Sequence, residues 1–404
     1  MDKKIFKMAL AASFAALLFC GCQKEPESSS DGGIRHAKSS AESKVADIVK
    51  DRAGSPISRE AKEINTLVGT KESGVNVKAS YPHIPEHVYH MVLEKNSALK
   101  GELLQNFLEG DSGKIRDISD ERKREAEQME KENKNSEEKA VYAVFGDTSL
   151  CTITDGRKEA GFVHGTGGYY EDMDLKLKCD AIYKSGEETI LSICKQGEAA
   201  GLADAGDETA GGSAGFSLGE AEGMLLAKLS KIDLSEIMVY EAAMYQGGDF
   251  MFYELKFTSS YEGMGIVHEV GSVSDGEVYP SGYAWVCADG VAALDLAECL
   301  GRVKQKEECE KLLSWEQIEE IITVSLHDGK IHGSSEVVMT EVEFLYYPLF
   351  DESKNEISLI PVWQIYIPMS AWIEDDKLSK EIGTNGAASN ICVNAVSGEI
   401  MRME

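Results

Sequence analysis

The sequence is short of proline and of basic residues for its length. Its 404 residues include 8 prolines and 38 glycines, which excludes a proline-rich or collagen-like stalk. Lysine and arginine number 41 against 70 aspartates and glutamates, a formal net charge of −29. Because contacts with phosphates or anionic lipid headgroups need a surplus of basic side chains on one face, this balance argues against nucleic acid partners and against a basic membrane-binding patch.

Motifs that would specify a reaction are also missing. Ser213 and Ser217 match Gly-x-Ser-x-Gly at 211–215 and 215–219, but the first lies in a glycine-rich stretch and the second at a predicted helix start, so neither follows a predicted strand as a nucleophile elbow does. No Ser-x-x-Lys is followed by its partner motifs. The glycine-rich segment 165–168 lacks the lysine of a phosphate-binding loop. These absences predict a protein that is not an enzyme and that carries no cofactor.

What is present is typical of folded domains. Hydrophobic residues make up 43% of the chain and charged residues 27%, so a disordered protein is excluded. At about 150 residues per domain, the length predicts two or three domains.

The N-terminus has the features of a secretory signal. Lys3, Lys4 and Lys7 form a basic start to the otherwise apolar stretch 5–19, which is too short for a comfortable membrane span. The stretch ends in Phe19-Cys20-Gly21-Cys22, which resembles the lipobox of bacterial lipoproteins except that phenylalanine replaces the usual leucine. The resemblance implies removal of residues 1–21 and lipidation of Cys22, for example with palmitate, as an anchor on the extracytoplasmic face of the cell membrane. The alternative is a plain secretory peptide with a chance cysteine.

Composition divides the rest of the chain into four parts. Residues 22–58 are polar and predict a disordered tether, and 59–201 predict an N-terminal α+β module. The glycine- and alanine-rich stretch 202–215 predicts a linker before a C-terminal α+β module at 216–404.

Hydrophobic periodicity predicts an α+β fold of antiparallel sheets, each packed by one or two helices, because the alternation of strands and helices typical of parallel sheets is absent. Apolar spacing predicts a helix over 86–108, mixed charges predict a solvated helix over 120–140, and capping boxes predict helix starts at Ser217 and Ser314. Asp289-Gly290 predicts a hairpin turn. Alternation and β-branched residues predict strands at 75–79, 141–145, 150–154, 175–182, 189–194, 237–245, 250–259, 265–271, 283–288, 291–297, 337–347, 359–367, 391–396 and 399–403.

Three histidines are the best candidates for a metal site. His87 and His90 could share one face of the predicted helix and hold zinc or copper with a carboxylate such as Glu86 or Glu94, with His83 nearby. Because Pro85 separates His83 from that helix and no fourth ligand is fixed, we favour a surface or capping cluster and predict no metal.

Cysteines supply no motif. Seven of the nine follow the lipobox, and none forms a Cys-x-x-Cys pair, which argues against a zinc knuckle or a thioredoxin-like site. In an oxidising envelope they could form disulfides, and in an anaerobe they could stay reduced and buried. Cys299 with Cys309 is the pair most easily bridged, and Cys151, Cys179 and Cys194 lie on neighbouring predicted strands.

The second half of the chain resembles a known lineage. The blocks that carry the resemblance are 217–222, 229–240, 252–263, 314–322, 359–363 and 394–400. In this order they are similar to a domain-of-unknown-function family of lipoproteins from low-GC Gram-positive anaerobes. The last two blocks, Pro361-Val362-Trp363 and Asn394 to Ile400, are also similar to PepSY-type and regulatory envelope lipoproteins. That resemblance implies binding or inhibition of partners, and no catalytic residues are carried over.

Together these features predict a membrane-anchored extracytoplasmic lipoprotein that binds an envelope protein or peptide as a scaffold, sensor or regulator. The partners expected are the membrane, through the lipid, and such a protein or peptide, with no nucleic acid. The alternative is a solute- or glycan-binding lipoprotein, although its four tryptophans do not cluster in the sequence.

Overall fold

A computed structural model defines three sheets and the helices packed on them. The described residues are 40–50, 62–71, 73–94, 101–108, 115–122, 124, 150–163, 167–185, 187–193, 216–232, 236–267, 281–296, 302–351, 354, 356–368, 371 and 375–401. The predicted linker, the lipobox, the predicted strand at 141–145 and most of the predicted helix at 120–140 lie outside them. Of the disordered tether predicted over 22–58, residues 40–50 are described; they form a helix whose Ile48 is buried in the core, so this part is folded. Among the described helices, none combines the length and the apolar content needed to cross a membrane.

The helices, in chain order, are α1 (Ser40–Lys50), α2 (Gly101–Leu108), α3 (Met173–Ser185), α4 (Leu218–Leu229), α5 (Trp315–His327) and α6 (Asp376–Gly383). The strands are β1 (Glu63–Val68), β2 (Val75–Ser80), β3 (Tyr89–Glu94), β4 (Arg116–Asp117), β5 (Leu150–Thr154), β6 (Lys158–Val163), β7 (Gly167–Asp172), β8 (Glu187–Ile193), β9 (Ile237–Gly247), β10 (Phe250–Tyr261), β11 (Met264–Gly265), β12 (Ser281–Cys287), β13 (Gly290–Leu296), β14 (Arg302–Glu308), β15 (Val338–Met339), β16 (Glu341–Asp351), β17 (Glu356–Tyr366), β18 (Asn390–Asn394) and β19 (Ile400–Met401). The predicted α+β class, with helices packed on antiparallel sheets, is confirmed.

The large sheet has the strand order β4-β5-β6-β7-β13-β12-β10-β9-β8, with β11 added to β10. The second sheet has the order β14-β3-β17-β18-β19, with β16 along the other edge of β17. The small sheet is β1-β2-β15, in which β15 runs parallel to β2. Strands from 59–201 and from 216–404 pair with each other in all three sheets, so the two predicted modules are interleaved and do not form separate sheets.

Helices cover both faces of the large sheet. On one face, α2 and α4 pack over a core that includes Leu225, Leu255 and Leu294. On the other face, α3 packs over a smaller core that includes Phe252 and Ala292. The remaining core, around the buried Trp363, joins the second and small sheets to α5 and α1.

Local signals explain the best predicted elements. The Ser217 hydroxyl accepts from the Glu220 N–H at 3.3 Å, and the Glu220 carboxylate accepts from the Ser217 N–H at 2.7 Å, which is the capping box that starts α4. The Gln317 side chain accepts from the Ser314 N–H at 3.1 Å where α5 begins. Gly290, with a φ of 137°, closes the predicted hairpin between β12 and β13.

The prediction of one helix over 86–108 is wrong for its first half. Among the described residues of this segment, 89–94 form β3 and 101–108 form a helix. Met91 and Leu93 are fully buried because β3 lies between β14 and β17, strands that are distant in sequence. Such tertiary pairing overrides the local apolar spacing on which the prediction depended.

The prediction of a strand over 175–182 is also wrong, because this segment lies in α3. Leu175, Leu177 and Cys179 alternate as in a strand, yet Leu177 is 68% exposed while the other two are buried. The buried positions, including Leu175 and Cys179, follow helical spacing. Asp172 helps to start the helix by accepting from the Leu175 N–H at 3.3 Å.

Two leucine substitutions distinguish these alternatives. We expect Leu175→Ala to lower the free energy of unfolding by about 2–5 kcal/mol, because it leaves a cavity under α3. The matched Leu177→Ala should change it by less than about 0.5 kcal/mol, because that side chain faces solvent. Urea denaturation of both variants measures the difference, and equal losses would contradict the helix.

Candidate functional site

The face of the large sheet that α3 partly covers carries two rows of cross-strand neighbours. We call these rows the polar strip. The first row runs from β5 to β9 through Thr152, Gly161, Tyr169, Asp295, Tyr283, Lys256 and Glu241. The second row is Thr154, Glu159, Glu171, Ala293, Trp285, Glu254 and Ala243. The Cβ atoms of residues directly opposite in such rows lie about 5 Å apart, which brings neighbouring side chains within reach of each other.

Tyr283 and Asp295 form the centre of the strip. They are directly opposite on β12 and β13, and both are exposed, Tyr283 to 41%. Within the described part of the chain, neither side chain has a hydrogen-bond or ion-pair partner. This pair therefore presents a ring and a carboxylate to whatever approaches the sheet.

A closed network bounds one side of the strip. Arg122 donates through Nε to Glu159 Oε1 at 3.0 Å and through its terminal nitrogen to Oε2. The Tyr169 hydroxyl donates to the same Glu159 Oε1 at 2.7 Å and lies 3.2 Å from Thr152 Oγ1. Gly161 makes room for the Tyr169 ring, because a Cβ at 161 would lie 2.2 Å from it. These contacts fix Tyr169 beside Asp295.

Two pairs bound the other side. Lys256, opposite Tyr283, donates to Glu241, and that carboxylate raises the pKa of the lysine against the lowering effect of burial. The Trp285 indole donates to Glu254 Oε2 at 2.8 Å. Both carboxylates are therefore oriented by a donor that lies within the strip.

Helix α3 forms a wall of the strip. Lys176 forms an ion pair with Glu171, and the Tyr183 ring lies 5.3 Å from the Trp285 ring. These contacts place a charged and an aromatic group of the helix next to the second row. The position of α3 therefore determines how far the strip is open on that side.

The charges of the strip do not balance. Five carboxylates, those of Glu159, Glu171, Glu241, Glu254 and Asp295, face three cationic groups, those of Arg122, Lys176 and Lys256. Although Asp295 is exposed, the surrounding protein disfavours the charged form of its carboxyl, and the Glu171 carboxylate repels that charge. The pKa of the Asp295 carboxyl therefore rises to about 6. Burial and the nearby carboxylates, Asp295 first, also raise the pKa of Tyr283. An arriving cation would relieve this repulsion, because aromatic rings and carboxylates both attract positive charge.

The histidines considered as metal ligands do not lie on a helix. His87 lies in a bend and His90 on β3, so the prediction that they share a helix is wrong. His87 Nδ1 lies 2.8 Å from Glu308 Oε1 on β14. Among the described residues, no group of three histidine, cysteine or acidic side chains is arranged to hold a metal ion. Cys22, the predicted lipidation site, lies outside the described residues.

Four described cysteines are free thiols, namely Cys179, Cys287, Cys309 and Cys392. Cys309, the residue considered for a bridge to Cys299, is one of them. Cys179 lies on α3 and not on a strand, where it contacts Cys287. Alternation predicts the strip strands β5, β9, β10, β12 and β13, whereas β6 and β7 are not among the predicted strands. The cross-strand neighbours from β7, β13 and β12 could not be predicted from the sequence. The only local signals are the aromatic–x–acid or aromatic–x–aromatic triplets at 169–171 and 283–285.

Comparison with known proteins identifies no family for this chain. No family model and no curated protein matches the sequence. A crystal structure of an uncharacterized protein from Eubacterium rectale is similar at a TM-score of 0.48 and 12% sequence identity, over 90% of this chain and 99% of the other.

The raised pKa of Asp295 has a consequence for stability. The folded state holds this proton more tightly than the unfolded chain, in which the aspartate pKa has its ordinary value of 3.8. The stability that the site contributes therefore falls as the pH rises from about 4 to about 6, and it stays low above pH 6. We therefore expect Asp295→Asn to raise the free energy of unfolding at about pH 7.5 and to have a much smaller effect near pH 4.

Thermal unfolding at the two pH values measures this difference. Glu320→Gln, which removes an exposed carboxylate from α5, serves as the control for net charge. An Asp295→Asn variant that is less stable than the wild type at the higher pH would contradict the repulsion.

Proposed function

We propose that the protein is a membrane-tethered, extracytoplasmic lipoprotein that binds a positively charged segment of an envelope protein through the polar strip. The observation that carries the proposal is the central pair, in which the exposed Tyr283 ring and the Asp295 carboxylate lie side by side without a partner among the described residues. The proposed role is non-enzymatic.

The chemistry of the strip favours a cation as the occupant. An arginine or lysine side chain over an aromatic ring gains about 0.5–2 kcal/mol, and a charge-assisted bond to a carboxylate adds to this. The strip supplies both groups at adjacent positions, Tyr283 and Asp295, with Glu254 and Trp285 diagonally beside them. An extended segment could therefore place successive basic side chains along the row.

The whole molecule supports the same occupant. A net charge of −29 attracts basic partners from a distance and repels anionic ones, which speeds encounter with the strip. The signal-like N-terminus supports the location, because a lipid on Cys22 would hold the folded body outside the membrane.

The tether is tested by substitution of two neighbouring cysteines. We expect Cys22→Ala to release the protein from the membrane into the medium of a Gram-positive host, because the acylated thiol is the anchor. Cys20→Ala should leave the protein membrane-bound, since that residue only fills the small position of the lipobox. Fractionation and immunoblotting measure both, and a Cys22→Ala protein that stays in the membrane would contradict the anchor.

The strip is tested with a defined cationic probe, a fluorescein-labelled octa-arginine peptide, by fluorescence anisotropy. We expect Tyr283→Ala and Asp295→Asn each to weaken binding by about tenfold, or about 1.4 kcal/mol, because each removes one of the two central groups. Added salt should weaken wild-type binding, since the attraction is between charges.

Glu320→Gln is the control for non-specific attraction of the peptide to an acidic protein. It changes the net charge by the same amount as Asp295→Asn but on α5, so it should leave the affinity within about twofold of the wild type. Equal losses for Glu320→Gln and Asp295→Asn would contradict a site on the strip. The glycan-binding alternative predicts a different result, in which the protein binds a neutral oligosaccharide through Tyr283, independently of salt, and does not bind the peptide. That result would overturn the proposal.

A further inference from the structure

Beside the polar strip, two buried cysteines from distant parts of the chain are in contact. Cys179 lies in the middle of α3, and Cys287 is the last residue of β12. They are 0% and 1% exposed and lie in the same small core as Leu175 and Phe252. The Cys179 thiol donates a hydrogen bond to the Cys287 sulfur, so the two sulfurs are neighbours.

The hairpin turn orients the second thiol. The Cys287 thiol donates to the Gly290 carbonyl at 3.5 Å, and the backbone N–H groups of Asp289 and Gly290 lie close enough to stabilise a negative sulfur. The bond from Cys179 is the main cause that lowers the pKa of Cys287, and these two N–H groups add to it against the opposing effect of burial, while the pKa of Cys179 is raised. One thiol of the pair is thus prepared as a nucleophile and the other as a proton donor.

We propose that Cys179 and Cys287 form a reversible disulfide that fastens α3 to the large sheet beside the polar strip. This inference does not depend on the cationic partner. It assigns a redox site to two cysteines that the sequence did not bring together, since Cys179 was expected on a strand near Cys151 and Cys194.

The reaction is an ordinary thiol–disulfide exchange with a small-molecule disulfide or the disulfide of an oxidoreductase. The Cys287 thiolate attacks one sulfur of that oxidant, which forms a mixed disulfide and releases a thiolate. Cys179 then gives up its proton to the departing thiolate and attacks the Cys287 sulfur, which forms the internal bond. The pair loses two electrons and two protons, and the oxidant is reduced to two thiols.

The contacts of α3 indicate how an oxidant would reach Cys287 and how the disulfide would affect the polar strip. The exposed Lys178–Asp289 pair, 3.8 Å apart, is the charge contact between the helix and the hairpin turn, and such pairs separate at little cost. Opening there would admit the oxidant to Cys287. Because α3 carries Lys176 and Tyr183, which contact Glu171 and Trp285, the bond would fix the wall of the strip.

The test uses the purified full chain in glutathione buffers that range from reduced to oxidised. After acid quenching and alkylation, we expect a non-reduced digest to contain the peptide that links Cys179 to Cys287, and dithiothreitol to remove it. Oxidation should raise the melting temperature of the wild type by several degrees, because the bond closes a long loop.

Cys179→Ser and Cys287→Ser should each abolish the linked peptide and the shift in melting temperature. Cys392→Ser is the matched control, since Cys392 is equally buried on β18 and its removal should change neither result. The proposal is overturned if both thiols are fully alkylated after oxidation of the wild type, or if either is found linked to another cysteine. The wild-type digest decides this even if a serine variant fails to fold.

Discussion

The pairing of β7 with β13 is the interaction on which the candidate site depends. It joins strands from the first and second halves of the chain and places Tyr169 opposite Asp295. At the other side of the sheet, β8 pairs with β9 in the same way, so that the strands of the second half lie between strands of the first. A shift of one residue in the β7–β13 register would turn one half of each row to the opposite face, where α4 and its apolar core lie.

The strip combines paired charges with groups that do not stabilise each other. Arg122 with Glu159 and Lys256 with Glu241 are paired, whereas Asp295 faces Tyr283 and the charge of Glu171. Unrelieved repulsion on an otherwise well-packed sheet is the kind of local cost that proteins retain at binding sites. The dithiol under α3 lies next to the same rows, so the binding surface and the redox pair share one helix.

Local physics determined which parts of this fold could be predicted. Capping residues at Ser217 and Ser314 and the Asp289-Gly290 turn act within a few residues, and the elements they predict are confirmed. The predictions for segments 89–94 and 175–182 are wrong. The first is a strand and not a helix because it pairs with strands distant in sequence, and the second is a helix and not a strand because its buried residues follow helical spacing. The same limit applies to the site, since alternation shows which residues share a strand face but not which strands are neighbours.

Side-chain footprinting with hydroxyl radicals, with and without the octa-arginine peptide, tests most directly that the polar strip is the surface that binds. Tyr283 and Trp285 on the strip are compared with Leu226 on α4 and Leu349 on β16, both of which are exposed. The account predicts that the peptide protects the two aromatic residues and leaves the two leucines unchanged. Protection of Leu226 or Leu349 with no change at Tyr283 would place the contact elsewhere and contradict it.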